Sequence, residues 1–197
     1  MAGRLYLIVG DNGAGKSTLL RAIAGLMRPS RGKVTVNGFT NARQFASLIG
    51  YMAHAPLLYD EMDGMENLQY FARLCGIKGD ERCSEVMRAV GLDPALKRRV
   101  GQYSQGMRQR LSLARAILND PAIVLLDEPF SNVDIVSSRE MVRLLGEMRD
   151  AGKTVFVVTH QPALLDGVAD EAVTMNAGQI VAREAVRSRN LQPRGAM

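Results

Sequence analysis

The sequence holds no apolar run that approaches the roughly 18 to 20 residues of a membrane-spanning helix, and it opens with neither the basic start nor the apolar stretch of a secretory leader. A soluble chain retained inside the cell is therefore expected. Cysteine is scarce. Cys75 and Cys83 fall in a polar-flanked helical region with no metal-ligand spacing and no further partners, which excludes a disulfide framework and suits a reducing cytoplasm. Aromatic residues make up 5% of the chain and do not interleave with the basic ones, so no platform for stacking nucleic-acid bases is expected. No internal repeat or low-complexity segment is present.

What remains is an ordinary globular composition of 197 residues, 47% of them hydrophobic, enough for one sizeable core. A formal net charge of +5 admits nucleotide phosphates, an anionic membrane surface or nucleic acid as acidic partners. The basic residues are dispersed, with small clusters at Lys97, Arg98 and Arg99 and along Arg183, Arg187, Arg189 and Arg194. A solvated basic surface is the simpler reading of that pattern.

Short apolar runs alternate with helical periodicities along the chain. Residues 4–9, 33–36, 49–53, 123–126, 155–158 and 172–175 read as strands, and 16–26, 65–75, 81–90 and 137–149 as helices, with a further short helix after Pro162. Ser104 caps one more helix, which carries Leu111, Ala114 and Leu118 on one face and Arg108, Arg110 and Arg115 around the others. Strands alternating with helices predict an α/β fold whose mainly parallel sheet is flanked by helices. A helical insert is expected at about 56–118, and a loose polar tail after residue 183.

Two motifs carry chemistry. Gly10-Asp11-Asn12-Gly13-Ala14-Gly15-Lys16-Ser17, followed by Thr18, fits the spacing G-x-x-x-x-G-K-[ST] between a strand and a helix. Glycines let successive backbone N–H groups turn towards one anion, and the helix adds its positive N-terminal end. Lys16 is expected to reach the β- and γ-phosphates, and the Ser17 hydroxyl to bind Mg²⁺. The second motif is the strand end Ile123-Val124-Leu125-Leu126-Asp127-Glu128. It brings two carboxylates to the sheet edge where open α/β folds bind ligands. Asp127 is suited to Mg²⁺, directly or through water, and Glu128 to orienting or polarising an attacking water. Together they predict a P-loop NTPase that hydrolyses a nucleotide.

Between and after these motifs lie "YSQGMRQRLSLARAIL", "SNVD" and "VFVVTH". With them the sequence resembles the ATP-binding subunits of ABC transporters, from Gly3 to about Arg183. The resemblance implies ATP and Mg²⁺ as ligands, a reduced antiparallel β subdomain beside the parallel sheet, and a head-to-tail dimer. In such a dimer each ATP is pressed between one subunit's phosphate loop and the signature helix of the other. Ser104 and Gly106 match two signature positions, Asp134 the aspartate that lies across the dimer, and His160 the histidine that senses the γ-phosphate. An integral membrane subunit is the implied partner, with no nucleic acid, and the implied location of the chain is cytoplasmic, peripheral at the inner face of the cell membrane. The implied function is powering a transporter, specifically an exporter. The alternatives are a soluble ATPase of this family acting on nucleic acid or ribosomes, and a binding module without turnover.

Three departures stand out. Gln105 and Met107 replace residues of the usual signature. His54 stands where the family usually has a glutamine beside the metal, in "IGYMAHAPLLYDEM", a loop that resembles that of the haem exporter ATPase used in cytochrome c maturation. Residues 56–59 with Met62 and Met65 either line a groove for the membrane subunit or belong to the core. Finally, the family places two strands and an adenine-stacking aromatic ahead of the phosphate loop. Two expectations stay open: a start upstream of Met1, or a chain that binds nucleotide weakly, discriminates poorly between ATP and GTP and leaves strand edges unpaired, with Tyr6 a poor substitute for that aromatic.

Overall fold

The computed structural model describes residues 3–186. Six strands form one sheet in the order β2-β3-β4-β1-β5-β6. They are β1 Leu5–Val9, β2 Ile49–Met52, β3 Ile123–Asp127, β4 Thr154–Val158, β5 Glu171–Asn176 and β6 Gln179–Ala185. The first five run parallel to their neighbours, and β6 returns antiparallel along β5. Parallel strands covered on both faces read as nearly unbroken apolar runs, which is why the central strands are so hydrophobic.

Alternate residues divide the core in two. Leu5, Leu7, Met52, Leu126, Val155 and Val157 pack on one face of the sheet, while Ile8, Leu125, Val158, Val173 and Met175 pack on the other. The second face is covered by α1 Lys16–Ile23 through Leu20, and by α2 Ala42–Phe45 through Phe45. The first face is covered by α5 Gln105–Ala116 and α6 Ile135–Asp150, with α3 Gly64–Leu74 and α4 Glu81–Ala89 extending the same cluster. A capping box starts α3: the Asp63 carboxylate accepts from Glu66 N, and the Glu66 carboxylate accepts from Asp63 N.

Helix α1 stops at Ile23, three residues earlier than its periodicity predicts. Gly25 adopts φ +72°, Leu26 N donates to Arg21 O and Gly25 N to Ala22 O. This left-handed turn satisfies the last carbonyls and leaves Leu26 exposed. Residues 33–36, predicted as a strand, form only one bridge from Val36 to Phe39 across Asn37-Gly38. So short a hairpin lacks the neighbouring strand that would stabilise it. Strand β6 runs through Ala185, past the predicted start of the tail. The tail residues 187–197, including Arg187, Arg189 and Arg194, lie outside the described residues.

The two cysteines differ in environment. Cys75 is exposed at the C-cap of α3, whereas Cys83 is buried within α4, and burial pushes the Cys83 thiol pKa up. The stretch at 56–65 also divides. Met65 is core, while Leu57 and Tyr59 are exposed. Helix α5 is buried almost all round, at Leu111, Ser112, Leu113, Ala114 and Ala116, so its predicted single apolar face is too narrow. Its arginines reach outward: Arg108 to Asp60 at 2.7 Å, Arg110 to the Gly91 carbonyl at 3.0 Å, and Arg115 over the Phe71 ring.

Candidate active site

Sheet order decides which side chains meet. Strand β4 lies between β1 and β3, and its register aligns Val158 with Ile8 on one side and Asp127 on the other. The segments that leave β1, β3 and β4 therefore emerge at one carboxyl edge: the glycine-rich loop, the Asp127-Glu128 pair and His160. Strand β2 pairs with β3 with Met52 opposite Leu126, which sends His54 to the same edge. A cleft of about 470 Å³ opens there, lined by residues 12–18, His54, Asp127, Glu128, Ser131, Val158 and His160.

The loop needs its glycines. Gly10, Gly13 and Gly15 have φ of +146°, +81° and +94°, and a Cβ on Gly10 would lie 2.2 Å from the Met175 carbonyl oxygen. Gly15 is the N-cap of α1. Gly10 and Asp11 sit behind the cleft and turn their carbonyls to Lys16, whose Nζ donates to them at 2.6 Å and 2.9 Å. Two of the three ammonium donors are thus used on the loop, which leaves one for a ligand. Lys16 is buried, so its charge faces little competing water.

The Ser17 hydroxyl donates to Asp127 Oδ1 at 3.0 Å, joining the two motifs. Asp127 is 1% exposed, and its Oδ2 has no hydrogen-bond partner. A buried carboxylate with an unsatisfied oxygen is costly unless a cation or donor completes it. A hydroxyl and one carboxylate, with the remaining positions supplied by phosphate and water, is a donor set that fits Mg²⁺. Among the described residues no group of three or more His, Cys, Asp or Glu forms an all-protein metal cage.

Glu128 is held from several directions. Its N–H donates to the Val158 carbonyl at 2.8 Å, its Oε2 accepts from His160 N at 3.1 Å, and its Oε1 lies 3.4 Å from His160 Nε2 without forming a hydrogen bond. Its φ is +56°, a conformation non-glycine residues seldom adopt, and the following residue is Pro129, which disfavours it further. The Glu128 carbonyl accepts from Gln109 Nε2 at 2.9 Å and from Ser131 N at 3.3 Å. Neither Gln109 nor Ser131 stands out in the sequence as a site residue. The available signal for Gln109 was a polar residue at a buried position of α5.

Ser104, Gly106 and Asp134 do not line this cleft. Ser104 is exposed and caps α5, its Oγ accepting from Met107 N at 3.2 Å. Gly106 faces the backbone of Asn132 and Val133, which a Cβ added there would meet at 3.7 and 3.8 Å. Asp134 is exposed and caps α6, accepting from Ser137 N at 2.9 Å. The Ser137 donors hold the Asp134 carboxyl below the usual carboxylate range. Tyr6 stacks on Phe156 with ring centroids 4.8 Å apart, so its ring is committed to the sheet.

A phosphate loop, a hydroxyl-carboxylate pair and a Glu-His pair at one edge of a parallel sheet define a nucleotide-binding α/β cassette. Residues 1–131 match the family described as ABC transporter. The ABC transporter ATP-binding protein NatA of Bacillus subtilis (strain 168) is 37% identical over 193 residues, covering 94% of this chain and 78% of NatA. The chain belongs to the ATP-binding proteins of the ABC transporter family. It is also similar to a fluoroquinolones export ATP-binding protein of Mycobacterium tuberculosis (strain ATCC 25618 / H37Rv), 35% identical over 187 residues, 93% of this chain and 62% of that protein. It spans between 55% and 63% of the length of seven such relatives. Among solved structures, the dimeric post-hydrolysis state of the ATP-binding cassette MJ0796 bound to ADP and Pi superposes with a TM-score of 0.87 at 25% identity, covering 95% of this chain and 87% of that one. Among the described residues no helix is long and apolar enough to cross a membrane.

Proposed function

We propose that this chain binds and hydrolyses ATP as the motor subunit of an ABC exporter, working as a dimer beneath a separate membrane subunit. The observation that carries this reading is the convergence of Lys16, Ser17, Asp127, Glu128 and His160 on one cleft. Residues 12–18 and the start of α1 cradle the phosphates. Ser17 and Asp127 would hold Mg²⁺, with His54 facing the same cleft; when bound, the ion neutralises phosphate charge. Glu128 takes a proton from water as that water attacks the γ-phosphorus and the bond to the β-phosphate breaks, releasing ADP and phosphate. His160 Nε2, beside Glu128, donates to the γ-phosphate. Ser104, exposed at the N-cap of α5, and Gly106, half-buried in its first turn, complete the partner's site, with Asp134 beside them. Their separation from the chain's own cleft suits that role across a dimer.

The helical unit at about 56–118 would carry the contact with the membrane subunit. Leu57, Tyr59, Tyr70 and Leu74 are exposed there, beside a groove of about 350 Å³ that includes Phe71 and Arg115. Exposed apolar surface of this kind suits a partner. The export direction is favoured by the relative named for fluoroquinolone export. A place in haem export rests only on the loop at His54, and no relative cited above carries that name. The cargo itself would be chosen by the membrane subunit.

Two measurements test this reading. Purified chain should hydrolyse Mg-ATP, and affinity capture from detergent-solubilised membranes should recover an integral membrane subunit. Recovery of ribosomes or DNA instead would overturn it. For His54, the imidazole can accept and donate as an amide does. His54→Gln is therefore expected to keep hydrolysis within about tenfold, roughly 1.4 kcal/mol in barrier, while His54→Ala weakens coupling to the membrane subunit more than basal turnover. Complete loss of basal hydrolysis in the glutamine variant would contradict a role shared between the two side chains.

A further inference from the structure

Glu128 occupies a conformation that its own chemistry resists, with φ at +56° and a proline following. Backbone strain of this kind persists only where neighbours over-determine it. Two contacts do so within the strand edge and the following turn, from Glu128 N to Val158 O and from Ser131 N to Glu128 O. The third is the Gln109 side chain, which arrives from a different element and makes the shorter bond to the carbonyl, 2.9 Å against 3.3 Å. Gln109 is 6% exposed. A buried amide there is costly unless its bond is made.

Gln109 sits five residues beyond Ser104, the exposed cap of the same helix. At about 1.5 Å per residue the two are roughly 7.5 Å apart along a rigid helix. Under the function proposed above, on which this inference rests, Ser104 meets the nucleotide held by the partner, whereas Gln109 grips the glutamate of the chain's own site. Two points in the first half of one rigid helix then touch two different nucleotides' surroundings. Gly106, between them, faces the backbone of Asn132 and Val133, which a Cβ added there would meet at 3.7 to 3.8 Å, in the segment that follows Glu128.

We infer that Gln109 is a positioning residue through which α5 sets the backbone of Glu128, so that engagement of Ser104 at one nucleotide site adjusts the hydrolytic glutamate of the other. Docking of a γ-phosphate against the α5 N-terminus shifts or stiffens the helix. The Gln109 bond passes that change to the Glu128 carbonyl, and hence to the carboxylate that leaves the same Cα.

Gln109→Met keeps the length of the side chain and removes its donor, and it supports two readouts. In the nucleotide-free chain, amide hydrogen exchange across residues 128–132 should rise at least tenfold, with exchange in β1 and β4 unchanged. In the ATP-bound dimer, kcat should fall about tenfold with KM for ATP within twofold, and the Hill coefficient for ATP should drop towards one. Unchanged exchange at 128–132 overturns the inference whatever the kinetics show, and so does equal loss of protection in β1, which marks a general loss of stability. A fall in kcat with an unaltered Hill coefficient also overturns it, since the link between sites is then absent. If the exchange rises but the parent chain neither hydrolyses ATP nor dimerises, it is the proposed function that fails, and with it the link between sites, while the positioning of Glu128 stands.

Discussion

Glu128→Gln is expected to retain ATP binding, lose hydrolysis by about 10² to 10⁴-fold, and accumulate as an ATP-bound dimer. The amide keeps the shape of the side chain and the hydrogen bond that Oε2 accepts from His160 N. It cannot take a proton from water, and general base catalysis contributes about this factor. The binding surfaces are untouched, because Lys16 bonds the Gly10 and Asp11 carbonyls and Ser17 bonds Asp127 without involving Glu128. Without turnover, the closed state has no route back except ATP release. Size-exclusion chromatography with Mg-ATP, alongside a phosphate-release assay, reads both effects. A variant that stays monomeric at high concentration and turns over like the parent would remove Glu128 from the chemistry.

Gly50→Ala is expected to cost about 3 kcal/mol of stability, at the upper end of ordinary overpacking effects. Gly50 lies in β2, where a Cβ would fall 2.0 Å from the Ala116 carbonyl oxygen and 2.8 Å from Pro121 Cγ. Ala116 is the last residue of α5, so this close approach is where that helix rests on the sheet edge. Neither neighbour can yield, since one is backbone and the other a buried ring. For a chain of this size the melting temperature should fall by roughly 6 to 12 °C. The control is the same substitution at Gly146 in α6, where a Cβ meets only Val168 Cγ1 at an ordinary 3.5 Å. Gly146→Ala is expected to raise stability by about 0.5 to 1 kcal/mol through helix propensity. Thermal melts of the pair decide the matter. A change of less than 2 °C for Gly50→Ala would mean that β2 and α5 part more easily than their packing implies.

The phosphate loop, the Asp127-Glu128 pair and the strand leading to His160 were legible in the sequence because each is one uninterrupted run whose spacing fixes its geometry. Their convergence was also legible in outline, since a parallel sheet brings all its strand ends to one side. Contacts between distant segments were not. Nothing local to Gln109 says that its amide crosses to Glu128, because the separation of 19 positions is bridged only by the tertiary fold. Strand β6 is exposed at nearly every position and so lacks the apolar alternation that betrays a half-buried strand. The early stop of α1 at Gly25 was hidden by Leu26, which continues the helical spacing yet points to solvent. The sequence likewise placed both cysteines in one polar-flanked region, because polar neighbours on the solvent face of α4 mask the inward direction of Cys83.

That difference between the thiols has a practical side. Cys75 and Cys83 are the only two in the chain, one exposed at the end of α3 and the other enclosed with its thiolate disfavoured. Alkylation rates follow thiolate fraction and access, so a maleimide dye should mark Cys75 alone in the folded protein and Cys83 only as the chain opens. Cys75 borders the groove that also holds Phe71 and Arg115. One unmodified chain thus offers a stoichiometric fluorescent label beside that groove and, through slow reaction at the second thiol, an internal clock for unfolding.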